Sequence, residues 1–206
     1  MSPSRLIGLT GNIATGKSHV LATLRELGAI VIDADHVAHD VQQPGQPALA
    51  EILEAFGSGV FRLDGSLDRR ALAEVVFADR ARLRQLEAIV HPAIRREIER
   101  QLAEVPADRA AVLEAILLFE NGWAARCDEV WVTDCPAEEQ VARLMASRGL
   151  SEADARARVR AQNSQADKVA RADVVINTHG PASETRAQVL AAWGRGVPRT
   201  AAGHVP

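Results

Sequence analysis

The stretch Gly11-Asn12-Ile13-Ala14-Thr15-Gly16-Lys17-Ser18 fits GxxxxGK followed by serine or threonine, with the apolar run Leu6-Ile7-Gly8-Leu9 before it and a helical pattern after it. Each part of such a loop has a task. The glycines let the backbone turn tightly so that its N–H groups face a polyphosphate, and the following helix points the positive end of its dipole at the same anion. Lys17 is expected to reach the terminal phosphates of ATP, and the Ser18 hydroxyl to hold Mg²⁺. A strand, a phosphate loop and a helix in this order predict an α/β fold, a three-layer core around a parallel sheet.

Working outward, Val20, Leu21, Leu24 and Leu27 recur at helical spacing and Gly28 sits where that helix should stop. Ala29-Ile30-Val31-Ile32 reads as a strand buried on both faces, ending in Asp33-Ala34-Asp35. In open α/β sheets ligands gather beyond the carboxyl ends of the strands, which is where these carboxylates and the phosphate loop both fall. Ala110 to Ile116, Glu129 to Thr133 and Ala172 to Asn177 complete five expected strands. Between the second and third strands the pattern is helical only, with turns at Pro44–Pro47, Gly57–Gly59 and Leu63–Ser66 and a long helix expected to bend at Pro92. Pro136 to Arg148 and Ser151 to Gln162 read as two helices broken at Gly149, carrying Arg143, Arg148, Arg156, Arg158 and Arg160. The expected organisation is a nucleotide-binding core over 1–38, 106–142 and 172–196, a helical acceptor domain over 39–105, a lid over 143–171 and a frayed tail over 197–206.

The totals narrow the class. A chain of 206 residues, 47% hydrophobic, can bury a substantial core. A net charge of −3 and the absence of tyrosine speak against nucleic acid as a partner. No run approaches 18 apolar residues and the chain enters its first strand at once, so no membrane segment and a cytoplasmic location are expected. Cys127 and Cys135 lack metal-ligand spacing and read as free thiols. Oligomeric state has no signature in the sequence.

No NKxD or DxxG accompanies the loop, and the length is too small for most ATPase machines. A small kinase that hands the γ-phosphoryl group of ATP to a second substrate is the reading that remains, its acceptor a small molecule or a nucleotide, with a nucleotide-binding regulatory module as the alternative. Such a reaction needs an in-line acceptor, neutralised charge and exclusion of water. Asp33, at a strand end, suits the base that takes the acceptor's proton. Its bland alternative is a strand-end turn, and that of Asp35 an N-cap of the next helix. Arg143 and Arg148, leading into the Gly149 break, suit charge stabilisation from a lid.

Several blocks in order resemble the dephospho-coenzyme A kinase family. They are Leu9-Thr10-Gly11 with GKS, Val31-Ile32-Asp33-Ala34-Asp35, Leu67-Asp68-Arg69-Arg70-Ala71-Leu72, His91-Pro92, Leu117-Leu118-Phe119-Glu120, the Arg143 to Ser151 segment and Ala161-Gln162. The resemblance implies phosphorylation of the ribose 3′-hydroxyl of 3′-dephospho-CoA by ATP with Mg²⁺. It implies Asp33 as the base, Gly11 through His19 and Asn177 at the nucleotide, and Asp35, Arg69, His91, Leu117 and Glu120 at the acceptor. The chain also departs from the family's pattern. Asn12 and Ala14 stand where glycines are usual, a Cβ being costly there if φ is positive. Thr15 replaces serine, His19 a threonine, and Glu114 and Ile116 an aspartate and a proline. The family's Asn-containing loop after the fifth strand reads Asn177-Thr178-His179-Gly180.

Overall fold

The computed structural model describes residues 3–195. Residue 196 of the expected core and the expected tail over 197–206 lie outside the described residues. The described residues form two compact units, one made of 3–31 together with 105–195, the other of 32–104.

The first unit is built on a sheet. The apolar run ahead of the phosphate loop is β1, Arg5–Thr10, and α1, Lys17–Glu26, follows the loop. β2, Ile30–Asp33, β3, Ala110–Glu114, β4, Glu129–Asp134, and β5, Val174–Asn177, complete a five-stranded sheet of order β2-β3-β1-β4-β5, as expected for a doubly wound fold. β1 pairs in parallel with β3 and β4, and β4 in parallel with β5. A strand so flanked must be apolar on both faces, and Ile7 and Leu9 are fully enclosed. Val20, Leu21 and Leu24 of α1 join them in the core with Trp131 and Val189.

Helices α6, Ala137–Arg148, and α7, Glu152–Arg160, pack through Val141, Leu144 and Ala155, with Ile13 and Ala14 of the phosphate loop against the same cluster. The stretch expected as a lid thus has an apolar footing on the loop.

The second unit contains α2, Ala34–Asp40, α3, Pro47–Phe56, α4, Arg69–Ala78, and α5, Arg80–Glu104. Leu49, Ile52, Leu72, Val76 and Val90 form its core. Between its helices it also holds an isolated bridge between Phe61 and Leu67. Asp68 starts α4 by accepting from Arg70 N at 3.0 Å and Ala71 N at 3.1 Å.

Some local expectations change, and the fifth strand begins at Val174 rather than Ala172. The third strand stops at Glu114, two residues early, because the chain turns there. The long helix expected around Pro92 is one element, α5, with the proline inside it. After α7 a further short helix, α8, Gln165–Ala170, opens where the sequence reading has none, and Ser164 caps it by accepting from Asp167 N at 3.2 Å. The chain closes with α9, Ala182–Arg195.

Candidate active site

At the end of β1 the backbone turns through Gly11 with φ 147°. A Cβ there would lie 2.3 Å from Thr133 Oγ1 and 2.8 Å from Thr133 O, so the position excludes any side chain. Ala14 takes φ 60°, the one non-glycine with positive φ among the described residues. A methyl in that left-handed well costs roughly 1–2 kcal/mol, so the substitution of a usual glycine is strained at 14 and not at 12. Thr15 is fully buried, its hydroxyl 2.8 Å from Asn12 O and 2.7 Å from Thr133 Oγ1. Gly16, φ 85°, then starts α1. Lys17 Nζ donates to Gly11 O at 2.9 Å and Asn12 O at 3.4 Å, and lies 3.9 Å from Glu114 Oε1. Ser18, in the first turn of α1, is exposed.

Two sets of side chains hold this loop from outside. Arg143, half-buried on α6, donates through Nη1 to Ala14 O at 3.2 Å and through Nη2 to Thr178 O at 2.6 Å and Glu139 Oε1 at 2.8 Å. Thr178 is buried and donates its hydroxyl proton to Thr15 O at 2.7 Å. On the other side, the stretch from Gln162 to the first residue of α8 reaches the loop's first half. Gln165 Oε1 accepts from Asn12 N at 3.0 Å, Gln162 Oε1 from Ile13 N at 2.7 Å, and Asn163 O from Asn12 Nδ2 at 2.8 Å.

Of the other residues singled out in the sequence, His19 is exposed and bonds through Nε2 to Ala182 O at 3.1 Å, which places its proton on Nε2. Asn177 Oδ1 accepts from His179 N at 2.8 Å, shaping the turn after β5. Arg148 is exposed at the last turn of α6. Leu117 is exposed in the turn after β3, its carbonyl accepting from Asn121 N at 3.0 Å. Glu120 lines a cavity of about 280 Å³ with Phe119, Asn163, Lys168 and Arg171. Burial pushes the Glu120 carboxyl up, but the 2.6 Å hydrogen bond from Asn163 and the charges of Lys168 and Arg171 outweigh it, so it sits below its ordinary range. Lys168 is buried and donates to Ile116 O at 2.8 Å, and that burial lowers its ammonium pKa against the opposing pull of Glu120.

Asp33, Asp35, Arg69 and His91 belong to the second unit. Asp33, last residue of β2, is also the N-cap of α2: its Oδ1 accepts from Asp35 N at 2.9 Å and His36 N at 3.0 Å. The capping role weighed for Asp35 therefore falls to Asp33, and Asp35 sits in the first helical turn. Arg69 donates through Nη2 to His39 Nδ1 at 2.9 Å. His91 is exposed within α5.

Residues that sequence reading did not single out for the site also touch it. Glu114 faces Lys17 from the end of β3, Thr178 locks Thr15, and Gln165 and Asn163 hold Asn12. A position three residues past the glutamine of the Ala161-Gln162 block was the available signal for Gln165; none existed for Thr178 beyond its place beside Asn177.

A phosphate loop at the head of a helix, on a five-stranded parallel sheet with an all-helical segment between its second and third strands, defines a phosphotransferase of the P-loop kinase class. The family model for dephospho-CoA kinase matches residues 5–184, and the chain belongs to that family. The dephospho-CoA kinase of Symbiobacterium thermophilum is 54% identical over 191 residues, covering 92% of this chain and 80% of that one. A Thermus thermophilus crystal structure superposes with a TM-score of 0.83 at 39% identity, covering 96% of this chain and 99% of that one. The dephospho-CoA kinase of Campylobacter jejuni superposes at 0.61 with 27% identity, covering 93% and 96% respectively.

Proposed function

We propose that the chain transfers the γ-phosphoryl group of ATP to the ribose 3′-hydroxyl of 3′-dephospho-CoA, giving coenzyme A and ADP, the last step of coenzyme A synthesis. The family match across residues 5–184 carries this reading, and the geometry of Gly11–Ser18 supports its nucleotide half. The 3′-oxygen attacks the γ-phosphorus, the bond from that phosphorus to the oxygen bridging it to the β-phosphate breaks, and ADP leaves. Asp33 takes the proton of the attacking hydroxyl. Loop amides and Lys17 hold the phosphates, and His19 and Asn177 border the nucleotide. Asp35, Arg69, His91, Leu117 and Glu120 serve the acceptor.

Arg143 and Arg148 supply positive charge about the moving group. Arg143 does so from a fixed seat, since its guanidinium is bound to Ala14, Thr178 and Glu139. Arg148 does so from the exposed end of α6. The hard oxygen donors near Lys17, the Ser18 hydroxyl and the Glu114 carboxylate, fit Mg²⁺, and they are the residues that would hold it. When bound, that ion neutralises charge on the β- and γ-oxygens. A cytoplasmic location belongs to the same reading and is supported by the two free thiols, Cys127 and Cys135. Among the described residues no helix is long and apolar enough to cross a membrane.

The test is ADP formation by the purified protein with and without dephospho-CoA. ADP release that depends on dephospho-CoA is the expected result, and ATP binding without phosphorylation of it would overturn the reading.

A further inference from the structure

The two amides that open the phosphate loop are taken by side chains rather than offered to solvent. Ile13 N donates to Gln162 Oε1 at 2.7 Å and Asn12 N to Gln165 Oε1 at 3.0 Å. The orientation of Gln165 follows from its other contacts, because its Nε2 donates to Thr133 O at 2.8 Å and Asp134 Oδ1 at 3.0 Å, so its oxygen must face the loop. Asn12 Nδ2 adds a third tie, to Asn163 O at 2.8 Å. Gln165 thus binds the loop and the carboxyl end of β4 at once, and both glutamines are half-buried. An amide held by a neutral carbonyl cannot turn to a phosphate oxygen without giving up its first partner.

We propose that Gln162 and Gln165 are positioning residues for nucleotide binding: they withdraw the amides of Asn12 and Ile13 from the anion and so start the phosphate cradle at Ala14, while linking the loop to the stretch that runs from the end of α7 into α8. The proposal rests on the reading of Gly11–Ser18 as a phosphate cradle. It deepens that reading, because it divides the loop into an anchored half and an anion-binding half. It also makes the segment that carries Gln162, Asn163 and Gln165 a sensor of loop conformation. Any swing of α7 must carry the loop with it or break these bonds.

Methionine is close to glutamine in length and shape but offers no amide oxygen, so Gln162→Met and Gln165→Met test the tie with little change in packing. The ATP Kd, read by calorimetry without an acceptor, is expected to rise roughly three- to tenfold in each, the scale of one hydrogen bond's net worth. The KM for dephospho-CoA should move less than twofold. Amide exchange followed by NMR should lose protection at Ile13 in Gln162→Met and at Asn12 in Gln165→Met. Gln162→Glu, which keeps an acceptor oxygen, should restore protection at Ile13. An ATP Kd within twofold of wild type, unchanged exchange at both amides, or equal weakening of both substrates would each overturn the proposal. Because ATP binding is measured alone, a protein that binds ATP yet leaves dephospho-CoA untouched sinks the proposed function and leaves this test standing.

Discussion

Lys17 Nζ lies 3.9 Å from Glu114 Oε1 while donating to the carbonyl of Gly11 at 2.9 Å, so the ammonium joins the first glycine of the phosphate loop to the carboxyl end of β3. Glu114 thus stands as the carboxylate partner of the loop lysine, at a strand end where an anionic oxygen also suits a divalent cation. Glu114→Gln removes the charge and keeps the shape. The expected outcome is a ~10–100-fold rise in the Mg²⁺ concentration giving half-maximal rate. Rate measurements over a Mg²⁺ titration at saturating ATP check it, and an unchanged half-point removes Glu114 from the cation site.

Asp33 combines a cap with the proposed base, and the two roles separate by substitution. Asn keeps an oxygen for the amides of Asp35 and His36 but is a poor proton acceptor. Asp33→Asn should therefore retain the melting temperature and ATP affinity while kcat falls by at least ~10². Asp33→Ala should lose about 1 kcal/mol of stability in addition, the worth of a typical N-cap. Calorimetric melts alongside steady-state rates distinguish the two, and full turnover by the Asn variant ends the base assignment.

Ala14 holds a left-handed conformation with a Cβ. Ala14→Gly should stabilise the folded protein by about 0.5–1 kcal/mol, relief of the strained well exceeding the entropy that glycine adds to the unfolded chain. Ala14→Val should destabilise it, since branching at Cβ worsens the same clash. Denaturant midpoints of the three proteins give the order, and a glycine variant less stable than wild type contradicts it.

On α5, Glu97 accepts a bidentate pair from Arg100, at 2.7 Å and 2.8 Å, with Gln101 bonding at 2.8 Å. The hydrogen bond from Arg100 is the main cause that lowers its carboxyl from 4.5 to about 2. A depressed carboxyl adds stability above its unfolded pKa and loses it as pH falls through the folded one. Glu97→Gln should thus cost about 1 kcal/mol at pH 7, the upper end for a partly exposed pair. The difference should fade between pH 4.5 and about 2, which urea melts across that interval would reveal.

The sheet was legible because its strands are short, uninterrupted apolar runs, and the phosphate loop because its glycines and lysine have fixed spacing. What escaped lacks such periodicity. α8 has six residues and buries the whole of Lys168 where an apolar side chain would have announced it. The ties from Gln162 and Gln165 to the loop span about 150 residues of chain, and neither glutamine differs locally from a solvated one. Arg143 could be placed before the Gly149 break, but its grip on Ala14 O and Thr178 O depends on a helix crossing the loop, which no local pattern encodes. Asp33 as a cap was hidden by its own place at a strand end, where the last β residue and the N-cap of α2 coincide.

Pro92 sits inside the 25-residue helix α5 without an N–H to offer the carbonyl one turn earlier, at Ala88. The helix that the rest of the second unit leans on therefore has a missing rung beside His91. In hydrogen-exchange terms α5 should not open as one block. Amides around this rung should exchange through small local openings that leave the buried Ile98 and Leu102 stretch protected. His91 is thus carried at the turn of α5 where this backbone hydrogen bond is missing.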